Sequence, residues 1–213
     1  DDAFQHLRVK ANHYILTTTF HSPYYKDWVF PAGMLREPRA AKHEASMVVV
    51  TKCPQNLKEF EAQKIKDRLK FSGSVFFTTI HYGSYLEPVF VGATIALEKM
   101  AGYKLVLITG IAQPKPFVNF MSEKSEILKH FAFVDHYHFK EKDLRRIADF
   151  CSNNKNKNVL VVTTQKDAVR LTTHSQKQLI ENLPIYYSPI ELQFLFNQEI
   201  AFQKLIKQYA KPD

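Results

Sequence analysis

Five short stretches hold side chains whose types and spacing can do chemistry. The chain opens on Asp1-Asp2-Ala3-Phe4-Gln5-His6. Adjacent carboxylates repel unless a cation sits beside them, and the oxygen-seeking Mg²⁺ is a common one. At the end of a strand such a pair has the form of a Walker B motif, which holds the metal of a nucleotide site. Without a strand before it, the pair is a solvated terminus. Pro31-Ala32-Gly33-Met34-Leu35-Arg36-Glu37-Pro38 fixes a loop that presents Arg36 beside Glu37, either as a bidentate grip on phosphate or as a solvated ion pair. Lys52, in Thr51-Lys52-Cys53-Pro54, can stack on a base, reach a phosphate, or sit in water at a helix start. Thr163-Thr164-Gln165-Lys166-Asp167 gathers two hydroxyls, an amide, an ammonium and a carboxylate. Asp167 reads equally well as a helix cap. In Asp135-His136-Tyr137-His138, His136 can be a base, a ligand or the partner that orients a carboxylate. If the segment is extended, His136 and His138 share one face, yet two His fall short of the third and fourth ligands that zinc takes.

Three of these stretches follow directly after apolar runs. Ligands of open parallel sheets bind beyond the carboxyl ends of the strands, so this placement matters more than the residue types. The pattern predicts strands at 14–19, 46–51, 75–80, 104–109, 127–134 and 159–164. It predicts helices at 57–70, 116–124, 141–152 and 194–209, the first capped by Asn56 with Glu59. Gly83, Pro88 and Gly92 break the stretch 82–92 into a hairpin or a connection between lobes. The expected class is α/β, a mainly parallel sheet flanked by helices, with a second smaller α/β lobe. The expected organisation is a core lobe at 1–80, a connection at 81–103, a second lobe at 104–195 and a closing helix at 196–213.

Composition narrows the functional classes. The 213 residues are 45% hydrophobic and 23% charged, which excludes a disordered chain, a coiled coil and a collagen. No apolar run approaches the ~20 residues of a membrane span. Two cysteines exclude a disulfide scaffold and fit a reducing compartment. The net charge of +8 favours anionic partners, and 139–177 holds nine Lys/Arg against four Asp/Glu. The six glycines stand at 33, 73, 83, 92, 102 and 110. No two are close enough for a Gly-rich phosphate loop of either common spacing.

Taken in order, DDAFQH (1–6), PAGMLREP (31–38), VTKCP (50–54), TGIAQPKP (109–116), DHYHF (135–139) and TTQKDAVRL (163–171) resemble the tetraacyldisaccharide 4′-kinase family. The resemblance implies a two-lobed, P-loop-kinase-like fold. It implies phosphoryl transfer from ATP, with Mg²⁺, to the 4′-hydroxyl of a lipid A precursor, tetraacyldisaccharide 1-phosphate. It also implies a peripheral place at the cytoplasmic face of the bacterial inner membrane, with a membrane anchor upstream. The family's phosphate loop precedes its acidic pair, so the chain resembles the C-terminal part of such a kinase and is expected to be inactive alone. A monomer is expected, and no nucleic acid.

Residue roles carry over by position. Asp1 and Asp2 resemble the pair that organises Mg²⁺ and ATP. His136 matches a His that partners a catalytic carboxylate. His6, Arg36 and Glu37 match positions that line the substrate cleft. Apart from the resemblance, the strand-end positions of Lys52, Thr164, Lys166 and Asp167 are where nucleotide contacts are expected. Leu7, Ala3 and Gln165 depart from the family's usual Arg, Gly and Glu. Two other readings stand beside this one. One is a metal-dependent phosphohydrolase built on Asp1, Asp2, His6, His136 and His138; the other is a basic nucleic-acid-binding module.

Overall fold

The structure is a computed structural model that describes Phe4, Arg8 and residues 11–210. Asp1, Asp2 and His6 lie outside the described residues. The chain divides into two compact units, 1–81 with 191–213, and 82–190.

The first unit is built on a sheet of order β1-β2-β3-β10. Its strands are β1 (Ile15–Thr19), β2 (Met47–Thr51), β3 (Ser74–Tyr82) and β10 (Ile190–Phe194). β2 runs parallel to both β1 and β3. Successive residues of β2 point to opposite faces, and both faces are covered. Val48 and Val50 join Phe77, Leu57, Ala62 and Leu69 on the side of helix α1 (Glu59–Leu69). Met47, Val49 and Phe76 meet Phe202, Leu205 and Ile206 of helix α5 (Glu199–Tyr209) on the other. A continuous Val run is what burial on two faces demands. The carbonyl of Leu69, at the end of α1, accepts from the Tyr24 hydroxyl at 2.6 Å and from Lys42 Nζ at 3.0 Å. Burial pushes the Tyr24 phenol up to about 12.

The second unit holds a sheet of order β5-β4-β9-β8-β6-β7. Its strands are β4 (Tyr85–Pro88), β5 (Ile95–Ala96), β6 (Lys104–Thr109), β7 (Ile127–Ala132), β8 (Val159–Thr164) and β9 (Ile185–Ser188). β9, β8, β6 and β7 are parallel, while β4 runs antiparallel to β9 and β5. Helix α2 (Lys115–Ser122) covers one face, where Phe117 and Met121 pack on Leu105, Leu107, Leu160 and Val162. Helices α3 (Glu141–Asn153) and α4 (Gln165–Thr172) cover the other through Leu144, Ile147, Cys151, Ala168 and Leu171, against Val106, Ile108 and Val161.

Strand order places β6 at the point where the winding reverses. The chain leaves β6 through α2 toward β7, then returns across β6 through α3 to β8 and moves on through α4 to β9. The loops after β6 and β8 therefore diverge to opposite faces, which is where such sheets bind ligands.

The architecture is α/β with mostly parallel sheets, as the sequence pattern predicts, and several boundaries differ. α1 starts at Glu59 and its box is formed by Glu61, whose Oε2 accepts from the Lys58 N–H at 3.0 Å, rather than by Asn56 with Glu59. The stretch 82–103 contributes β4 and β5 to the second unit, and α5 belongs to the first. Part of the expected helix at 194–209 is strand, because β10 runs to Phe194 and α5 begins only at Glu199.

Burial pushes the thiol of Cys53 up to about 11, so labelling of Cys53 at neutral pH requires unfolding. Phe77 is fully buried in the same cluster. Phe77→Ala is expected to cost about 3–5 kcal/mol and to accelerate Cys53 labelling by a thiol reagent in proportion. An unchanged labelling rate would show that the cluster does not hold this unit together.

Candidate active site

In the second unit, groups at the ends of two adjacent parallel strands meet one buried carboxylate, and a turn after a third joins them through an arginine. Asp167 is fully buried. Its Oδ2 accepts from the Gly110 N–H at 2.9 Å, after β6, and from the Thr164 hydroxyl at 2.7 Å, at the end of β8. Its Oδ1 accepts from Arg170 Nη1 at 2.9 Å. The same Nη1 donates to the Gly110 carbonyl at 3.0 Å, and Nη2 approaches His136 Nδ1, after β7, at 3.3 Å.

Local sequence explains how these groups meet. Thr164 is the N-cap of α4, and its Oγ1 accepts from the Asp167 N–H at 3.2 Å. Asp167 is thus not the cap, as one sequence reading had it, but stands three positions on. There a carboxylate faces the N-terminal amides and the positive end of the helix. Arg170 lies one turn further along the same face. Gly110 leaves room for the approach, since a Cβ there would stand 3.0 Å from Asp167 Oδ1.

His136 sits in a turn, with φ of 56°. Its N–H is shared between the Gly110 carbonyl at 3.2 Å and Asp135 Oδ1 at 3.0 Å. The side chain is 69% exposed. The turn removes the extended geometry that would have put His136 and His138 on one face. Among the described residues no group of three or more His, Cys, Asp or Glu could hold a metal ion. Behind this turn, His130 Nε2 lies 2.8 Å from Thr109 Oγ1, and burial holds its imidazole below the usual range. The Tyr137 hydroxyl donates to Asp143 at 2.9 Å, which favours the protonated phenol and raises its pKa. Lys166 is exposed on the first turn of α4 and takes no part in the network.

In the first unit, Lys52 follows β2 directly, exposed and with φ of 56°. A left-handed backbone at a non-glycine residue costs of order 1–3 kcal/mol and collects at functional sites. Lys52 and His136 share that conformation, Lys52 directly after β2 and His136 four residues after the end of β7. Arg36 and Glu37 line a cavity of about 620 Å³ with Thr17, Thr18, Tyr24 and Lys42. The loop that carries them is tightly wound. Asp27 Oδ1 accepts from the N–H groups of Trp28 and Met34 at 2.8 and 3.1 Å, and a Cβ at Gly33 would stand 2.2 Å from it. Lys52 does not line this cavity. A larger groove of about 1010 Å³ between α1 and α5 holds none of the residues singled out from the sequence.

Thr164, Asp167 and His136 are thus brought together within one unit, and Arg36 with Glu37 within the other. Sequence reasoning missed Gly110 and Arg170. The signals were present, a glycine closing an apolar strand and an Arg three residues after an Asp on a helix, but neither names its partner.

Comparison with known proteins places the chain in context. The profile of the tetraacyldisaccharide-1-P 4′-kinase family (LpxK) matches residues 1–211. The chain is 38% identical to the tetraacyldisaccharide 4′-kinase of Flavobacterium johnsoniae and 36% identical to that of Bacteroides thetaiotaomicron, in each case over 99% of this chain and 58% of the relative. It therefore spans somewhat over half the length of these relatives. A crystal structure of LpxK from Aquifex aeolicus in complex with ATP superposes with a TM-score of 0.65 at 17% identity, over 98% of this chain and 56% of that one. That likeness shows the fold.

Removing the buried carboxylate leaves the Arg170 cation, itself only 22% exposed, without its counter-charge. Asp167→Ala is therefore expected to destabilise the second unit by about 3–5 kcal/mol, read by chemical denaturation. A loss under about 1 kcal/mol would mean the network is not holding the strand ends.

Proposed function

Because this chain belongs to the tetraacyldisaccharide-1-P 4′-kinase family, we propose that it is part of an ATP-dependent kinase for the 4′-hydroxyl of a tetraacyldisaccharide 1-phosphate, a lipid A precursor. The observation that carries this reading is the family match across residues 1–211, with the site groups standing beyond the carboxyl ends of parallel strands.

ATP, when bound, supplies the phosphoryl group. What this chain contributes is positioning and charge, the two terms that dominate phosphoryl transfer. His136 orients the carboxylate that takes the proton of the attacking hydroxyl, so that the new O–P bond forms as that proton leaves and the bond from the γ-phosphorus to the departing ADP breaks. The exposed ammonium groups of Lys52 and Lys166 suit phosphate oxygens. Thr164 and Asp167 hold the strand ends that frame the nucleotide. Arg36 and Glu37 offer one donor fork and one acceptor to the substrate at the cavity they line. Mg²⁺ takes oxygen ligands, and the carboxylates of Asp1 and Asp2 have that chemistry; His6 is assigned to the substrate side by the family resemblance.

A net charge of +8 suits ATP, the 1-phosphate and an anionic membrane face. Among the described residues no helix is long and apolar enough to cross a membrane. The proposal is a monomer acting peripherally at the cytoplasmic face of the inner membrane.

Two measurements test the reading. In the full-length protein, His136→Ala is expected to lower turnover by ~10²–10⁴-fold with ATP binding unchanged; equal losses in both would refute the role given to His136. The 213-residue chain by itself contains no Gly-rich phosphate loop, and is expected to transfer no phosphate from ATP to the acceptor. Measurable transfer would show that no further part is needed.

A further inference from the structure

The Arg170 contact with His136 fixes more than a distance. A guanidinium carries five N–H donors, no lone pair, and a charge it does not lose in proteins. Where Nη2 meets His136 Nδ1 at 3.3 Å, the ring nitrogen can only accept. A neutral imidazole has one N–H, so its proton must then sit on Nε2.

The guanidinium is itself immobilised. Nη1 donates to Asp167 Oδ1 at 2.9 Å and to the Gly110 carbonyl at 3.0 Å. The first partner is fully buried and the second closes β6. Two bonds, one to a carboxylate on its own helix and one to the carbonyl at the end of β6, define where Nη2 stands. The backbone of His136 is held from the same carbonyl, through its own N–H at 3.2 Å. Gly110 O thus anchors both partners of the contact. Beyond the ring, Asp135 Oδ2 is 3.8 Å from Nε2, past hydrogen-bond reach.

We propose that Arg170 is a positioning residue that holds His136 in the Nε2–H tautomer and in one ring plane, so that the ring presents an N–H to an anionic oxygen. The buried Asp167 is the fixed point from which this orientation is set. The catalytic weight of the proposal rests on the role given to His136 above; the tautomer does not.

The test uses the full-length protein labelled with ¹⁵N-histidine, at pH ~8.5, where ordinary imidazoles are neutral. The His136 signals are identified by their loss in His136→Gln. The expected spectrum shows an unprotonated Nδ1 and a protonated Nε2. In Arg170→Met, which keeps the apolar stem and removes the donor, both shifts should move toward the average of two tautomers. Arg170→Lys, which keeps a donor, should restore most of the preference. A protonated Nδ1 in the unsubstituted protein overturns the proposal without reference to any variant's folding, and so do shifts that ignore Arg170→Met in a folded protein. Turnover separates the two layers. A kcat lowered ~10- to 100-fold in Arg170→Met, with KM for ATP unchanged, supports positioning. A tautomer that responds while kcat does not would overturn the catalytic reading of His136 and leave the tautomer assignment standing.

Discussion

A carboxylate with no exposure to water dictates the C-terminal edge of the second unit. Ionised Asp167 must replace its lost hydration with donors, or it becomes the most costly group in the fold. The protein supplies an amide from the residue after β6, a hydroxyl from β8 and a guanidinium from α4. Each donor comes from a different segment, so satisfying the charge also fixes the spacing of those segments. The requirement explains residues that otherwise look unrelated. Gly110 is small because the carboxylate passes close by. Thr164 both caps α4 and binds Asp167. Arg170 neutralises the charge and spends its remaining N–H groups on Gly110 and His136.

The position of this cluster follows from topology. The loops after β6 and β8 part toward opposite faces of the sheet, and a crevice opens between them. In this chain the mouth of that crevice is occupied by the Asp167–Arg170 pair rather than left open. The pair is a platform and the groups it supports stand further out, with His136 exposed at its rim. Rigid elements place such groups more tightly than loops do. Here a turn borrows that rigidity through the His136 N–H bond to a strand-end carbonyl that also accepts from Arg170.

Much of the scaffold was legible in the sequence, for a physical reason. β2, β6 and β8 are buried on both faces, so they appear as unbroken apolar runs with turn or cap residues at their ends. Short strands carry less signal. β5 is two residues long, β9 mixes Ile185 and Ser188 with two tyrosines, and β10 has mostly exposed side chains, so none of them shows clean alternation. The site was legible as far as the strand-end rule reaches, which is to Lys52, His136, Thr164 and Asp167. Arg170 was not, because its importance lies in contacts 34 and 60 residues away in sequence. The condition on which His136 and His138 would share a face, an extended segment, is not met, because a left-handed residue turns the chain at His136. Asp1, Asp2 and His6 fall outside the described residues, and the motif they form speaks through sequence alone.

The loop that carries Arg36 and Glu37 also carries Trp28, the single tryptophan of the chain, with the Arg39 guanidinium 4.5 Å from its ring centre. That indole is 64% exposed. Fluorescence of the chain excited selectively in tryptophan therefore reports one place only, the loop that carries Arg36 and Glu37, through an indole that meets Arg39, a residue lining the cavity. Anything that enters that cavity and shifts the loop, or displaces Arg39 from the ring, changes the emission directly. This chain carries its own optical probe on the loop where substrate recognition is proposed.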